Sequence, residues 1–186
     1  SYGQEGDISS AGNIYAQLFN AQGIKVGNEF RVNNNTSDMQ QNPRIIPLRS
    51  GGFTITWSTT HVSGGYDVFG QDFNSSGGKL TGDFIVNDTI SGDQHNEGLA
   101  QIVYSDDEVN SLTEGTTTAN RIAVFQSDDT SGHGIFGQSF IGLGHVGNGE
   151  FQVNTNESGN QHSPVIDSLR GCSDGCQKWR HAVIVW

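Results

Sequence analysis

The sequence predicts an all-β fold made of three related four-stranded antiparallel units. Three observations predict it. Short stretches alternate apolar with polar residues or are almost wholly apolar, which is the strand pattern. Turn-formers separate them, with 26 Gly among 186 residues, and the apolar share is 33%. The same four stretches then recur in the same order along the chain, the signature of a repeat architecture. Helices are disfavoured by this composition. Gly weakens them, and Ser, Thr and Asn compete for their backbone hydrogen bonds.

The first stretch reads Ile14-Tyr15-Ala16-Gln17-Leu18-Phe19, then Val68-Phe69-Gly70-Gln71-Asp72-Phe73, then Ile135-Phe136-Gly137-Gln138-Ser139-Phe140. The second is Asn28-Glu29-Phe30-Arg31-Val32-Asn33, echoed by Gly82-Asp83-Phe84-Ile85-Val86-Asn87 and Gly149-Glu150-Phe151-Gln152-Val153-Asn154. Asn20-Ala21-Gln22-Gly23 and Asn74-Ser75-Ser76-Gly77-Gly78 read as the hairpin loops between them. Seven residues past each final Asn stands a Gln: Gln40, Gln94 and Gln161. The third stretch follows, led by Pro43, Glu97 and Pro164 and ending at Leu48, Ile102 and Leu169. The fourth ends on an aromatic: Phe53 to Trp57, Ile122 to Phe125, Ala182 to Trp186. The copies are thus 1–57, 58–126 and 127–186, within a single repeat domain spanning 1–186. Length varies chiefly between the third and fourth stretches, where surface loops tolerate insertion.

A unit of this kind buries its faces only against neighbours. The length and strand order suit a β-propeller blade, with a threefold β-trefoil-like barrel as the alternative. The third and fourth stretches become the inner strands and the first and second the outer ones. The chain then begins with an outer pair (14–33) and finishes with an inner pair (164–186). Those halves complete one sheet, either within one chain or between copies. Propellers use about four to eight blades, more than this chain supplies.

The net charge of −11, with only 9 Lys and Arg, argues against a nucleic-acid partner. No apolar run is long enough to span a membrane as a helix. The opening Ser1 reads as the start of a mature or excised segment. Cys172 and Cys176 flank Ser173-Asp174-Gly175, a spacing that suits a small disulfide loop in an oxidising compartment; half of a metal site is the competing reading.

The pattern Ile-Tyr-Ala-Gln-x-Phe, Gly-x-Glu-Phe-x-Val-Asn, Gln-x-x-Pro and Gly-Gly-Phe-x-x-x-Trp resembles a repeat of very large secreted surface proteins of bacteria and protists. Ile14 to Trp57 carries it best. The second copy departs at Glu97 and through its insert, and the third at the cysteine loop. The resemblance implies an extracellular surface, adhesion or matrix component and transfers no catalytic residue.

Candidate sites are few. N-glycosylation sequons start at Asn34, Asn35, Asn74, Asn87 and Asn156. The acidic clusters Glu5-Gly6-Asp7, Asp106-Asp107-Glu108 and Asp128-Asp129 are candidate Ca²⁺ loops without the usual ligand spacing. His95 and His162 occupy matching places, which points to structure rather than zinc. Trp179, beside Lys178 and Arg180, does not recur and is the candidate surface contact. No nucleophile elbow, phosphate loop or zinc motif occurs. The expectation is an extracellular structural or adhesive protein, not an enzyme, that self-associates into a filament or matrix through its terminal strands. The alternative is a carbohydrate-binding module with glycans as partners.

Overall fold

The computed structural model describes residues 12–48, 51–60, 65–89, 92–102, 120–129, 132–140, 143–144, 149–156, 158–171 and 178–186. Among these the chain is all β, with twelve strands. The first pair, β1 (Tyr15–Phe19) and β2 (Lys25–Arg31), forms a two-stranded sheet. Next, β3 (Gln40–Pro47), β4 (Phe53–Thr60), β5 (Tyr66–Phe73) and β6 (Phe84–Ile85) lie in sequence order in one antiparallel sheet. A second such sheet holds β7 (His95–Ile102), β8 (Asn120–Asp128), β9 (His133–Phe140) and β10 (Phe151–Gln152). The last pair is β11 (Val165–Gly171) with β12 (Lys178–Val185). No barrel closes among the described strands, so the sheets are blade-like rather than trefoil-like.

Each four-stranded sheet therefore takes inner strands from one copy and outer strands from the next. Equivalent residues meet in the same register wherever they pair. The third stretch meets the fourth at Ile45↔Ile55, Leu99↔Ala123 and Ile166↔Ile184. The fourth meets the following first at Trp57↔Phe69 and Phe125↔Phe136. Register is this well specified because a one-residue slip would turn each strand's buried set of side chains to its other face.

Three apolar clusters join the sheets face to face. Val32 and Leu18 of the first pair pack on Phe53, Ile55, Trp57 and Phe73. Ile46, Val68 and Val86 of the first full sheet meet Leu99, Ala123, Phe125 and Phe140 of the second. Ala100 and Val124 of the second meet Ile166, Ala182 and Ile184 of the last pair. The order along the stack is half sheet, sheet, sheet, half sheet.

The Asn that closes each second stretch is a buried peg. Asn33, Asn87 and Asn154 accept a hydrogen bond from the backbone N–H of Ile14, Val68 and Ile135, at 2.8, 2.7 and 2.7 Å. Their Nδ2 groups donate to the carbonyl two residues on: Asn35, Thr89 and Asn156. The peg fixes the turn that leaves the outer strand. Replacing Asn87 by Ala strands a buried N–H and carbonyl, and is expected to cost about 1–3 kcal/mol in chemical denaturation.

Asn42 (φ 52) and Ser163 (φ 54) hold the left-handed conformation at equivalent places, two residues past Gln40 and Gln161. Asn42 sits in the irregularity between Gln41 and Arg44 of β3. Ser tolerates this region less well than Asn or Gly. Ser163→Gly is expected to stabilise the fold by up to about 1 kcal/mol, read as a higher unfolding midpoint.

Candidate association interface

The two half sheets are complementary. Among the described residues, β1 and β2 are the outer strands of a sheet without inner ones, and β11 and β12 are the inner strands of a sheet without outer ones. β1 pairs only with β2, and β12 only with β11, among the described residues. Both half sheets leave one face uncovered among the described residues.

Equivalent residues show what those faces are built for. Phe73 and Phe140 are 0% and 1% exposed, whereas Phe19, their counterpart in the first copy, is 57% exposed. Trp57 and Phe125 are 1% and 0% exposed, whereas Trp186, their counterpart in the third, is 55% exposed. Tyr15 joins Phe19 on the open face of the first half sheet, and Val165, Val183 and Val185 line that of the last. Contiguous exposed apolar surface of this kind marks interaction sites. An unpaired strand edge beside it offers backbone hydrogen bonds to a further strand.

Carboxylates stitch neighbouring sheets along their outer edge. Asp83 Oδ2 accepts hydrogen bonds from the backbone N–H groups of Asn34 and Asn35, at 2.8 and 3.1 Å. Glu150 Oε2 does the same to Asp88 and Thr89, at 3.1 and 3.2 Å. Asp88 Oδ2 in turn accepts from the N–H of Glu150 at 3.0 Å. Lys79 Nζ donates to Asn34 Oδ1 at 2.6 Å. Burial lowers the Lys79 pKa from the usual amine value, and the Asp83 carboxylate works against that shift.

No family model, curated protein or solved structure matches this chain. Its functional reading therefore stands on its own residues.

The sequence-predicted sites are scattered rather than convergent. Asn34, Asn35, Asn74 and Asn156 are exposed in turns. Asn74 Oδ1 accepts from the N–H of Ser76 and Gly78, and Asn156 Oδ1 from that of Ser158. Asn87 is different: it is buried, and its Nδ2 donates to Asp67 Oδ1 at 2.9 Å and to the Thr89 carbonyl at 2.7 Å. A glycan on that nitrogen would break this peg. Cys172 and Cys176 lie outside the described residues, as do Glu5, Asp7, Asp106, Asp107 and Glu108. Trp179 lies in β12, its backbone opposite Arg170. No group of three or more His, Cys, Asp or Glu gathers as a metal site among the described residues. His133 and His162 rings approach to 5.9 Å. No helix there is long and apolar enough to cross a membrane.

A cavity of about 270 Å³ opens between the first half sheet and the first full sheet, lined by Asn35, Asp38, Trp57, Thr59, Phe69 and Asp83. Trp57 turns no open ring face toward it, being almost wholly buried.

Asp83 and Glu150 stand outside the acidic clusters singled out in the sequence. Both occupy one repeated position and accept backbone hydrogen bonds there. The signal was present as an acid before Phe in every copy: Glu29-Phe30, Asp83-Phe84 and Glu150-Phe151.

Proposed function

We propose that the chain is an extracellular structural or adhesive protein that assembles head to tail with copies of itself. In this reading β1–β2 of the next copy add to β12, completing a sheet in the order β11-β12-β1-β2. The single observation that carries it is the contrast between buried and exposed equivalents: Phe19 and Trp186 sit where Phe73, Phe140, Trp57 and Phe125 are enclosed.

Equivalence with the internal sheets gives the register of the seam. Trp57↔Phe69 and Phe125↔Phe136 translate into Trp186 opposite Tyr15 of the next copy. Thr56↔Gly70 and Val124↔Gly137 translate into Val185 opposite Ala16. The completed sheet then presents Tyr15, Gln17 and Phe19 toward the second full sheet of one copy. Val165, Val183 and Val185 face Phe53, Ile55 and Trp57 of the other. Every exposed apolar face named above is covered by this one operation.

A head-to-tail contact that closes makes a ring, and one that does not makes a filament. Two four-stranded and two half sheets per copy give six sheets for a closed pair, within the range of propellers. The extracellular part of the reading draws on the repeat resemblance and on the closely spaced Cys172 and Cys176. A carbohydrate-binding role has in its favour the cavity that brings Asn35, Asp38 and Asp83 beside the half-buried Phe69; a glycan array distinguishes it.

Sedimentation across a concentration series tests the proposal. Mass-action growth from monomer to larger particles is expected. A monomer at every concentration overturns it.

A further inference from the structure

Resting on that head-to-tail reading, we infer that Glu29 is a carboxylate clamp that grips the backbone N–H groups of Thr155 and Asn156 in the neighbouring copy. The clamp already operates twice inside the chain. Asp83, just before β6, holds the turn after β2 through the amides of Asn34 and Asn35. Glu150, just before β10, holds the turn after β6 through the amides of Asp88 and Thr89. In each case the acid belongs to one sheet and the turn to the preceding one.

One acid and one turn of this series remain. Glu29 stands one residue before Phe30, as Asp83 stands before Phe84 and Glu150 before Phe151. It is exposed, and its carboxylate makes no hydrogen bond or ion pair among the described residues. The remaining turn follows β10. It has the same internal build as the other two, since Asn154 Nδ2 donates to the Asn156 carbonyl as Asn33 and Asn87 do to Asn35 and Thr89. The amides of Thr155 and Asn156 are exposed and without a hydrogen-bond acceptor among the described residues.

The geometry of the seam brings the two together. β11–β12 pack on the sheet that contains β10. Adding β1–β2 of the next copy to β12 puts its Glu29 beside the turn after β10, as Asp83 stands beside the turn after β2. A second residue repeats too. Lys25 precedes Glu29 by the interval that separates Lys79 from Asp83, and Lys79 reaches the same preceding turn at Asn34. Two amides converging on one carboxylate are charge-assisted hydrogen bonds, stronger than neutral ones and directional. The clamp therefore sets which outer edge is accepted, where apolar burial alone would be indifferent.

The test compares full-length wild type with Glu29→Gln and Asp83→Asn, reading association by sedimentation and folding by thermal melting. Glu29→Gln is expected to weaken association about tenfold and to leave the melting temperature of the dilute monomer unchanged. Asp83→Asn is expected to lower that melting temperature, because its clamp is internal. Equal association of wild type and Glu29→Gln overturns the clamp while leaving head-to-tail assembly standing. A lower monomer melting temperature for Glu29→Gln also overturns it, by showing that the carboxylate serves its own chain. Wild type that never associates overturns both.

Discussion

Arg121→Ala is expected to destabilise the chain by about 3–5 kcal/mol, the cost of leaving a buried charge without its partner. Arg121 leaves the second full sheet and reaches into the first. There its guanidinium donates to Asp72 and to the Thr54 hydroxyl. Both charged side chains are buried. Asp72 is also held by the Thr54 hydroxyl at 2.6 Å and by the N–H of Gly144 at 2.8 Å. The guanidinium lies over the Phe140 ring, 5.5 Å from its centroid. Removing Arg121 alone strands the carboxylate. The paired change Arg121→Leu with Asp72→Asn removes both charges and is expected to recover a good part of the loss. Urea denaturation of the two variants checks this, and equal losses would show that the ion pair itself carries the stability.

The second large effect separates two equivalent phenylalanines. Phe73→Ala is expected to cost about 3–5 kcal/mol of folding stability, as a buried aromatic does when it leaves a cavity. Phe73 stacks on Phe53 at 5.0 Å and meets Phe30 at 5.7 Å. Phe19→Ala is expected to stay within about 0.5–1 kcal/mol of wild type in the dilute monomer. It should instead weaken association, because its ring is enclosed only once the next copy has docked. The pair of measurements, melting of the monomer and sedimentation of the particle, moves in opposite ways for the two residues. If Phe19→Ala melts the monomer as Phe73→Ala does, Phe19 belongs to an internal core instead.

Much of this architecture was legible because the repeat wrote it three times. The Gln-Phe spacing, the Val-Asn ending and the closing aromatics located the strands, and the phase of the two ends implied the split sheet. What stayed hidden falls into two classes. Some features do not recur: Asp72 corresponds to Leu18 and Ser139, and Arg121 to Phe53, so comparison between copies dilutes the ion pair. Others recur but have two physical uses. An Asn before a turn reads equally as a sequon and as a peg, and only burial shows that Asn87 is a peg. An acid before a strand reads as solubilising charge until the neighbouring sheet is placed, because its partner amides lie 48 to 62 residues away in sequence. Contacts of that separation leave no local pattern.

Cysteine cross-linking reads the seam between β12 of one copy and β1 of the next directly. Chains carrying Val185→Cys are mixed with chains carrying Ala16→Cys and oxidised under assembling conditions, with linked peptides identified by mass. Directly opposed residues on one face have Cβ atoms about 4.5–5.5 Å apart, while a one-residue slip turns the side chain to the other face. A link between positions 185 and 16, with none when Tyr15→Cys or Gln17→Cys replaces Ala16→Cys, is the predicted result. Assembled particles that give no 185–16 link, or give all three equally, would contradict it.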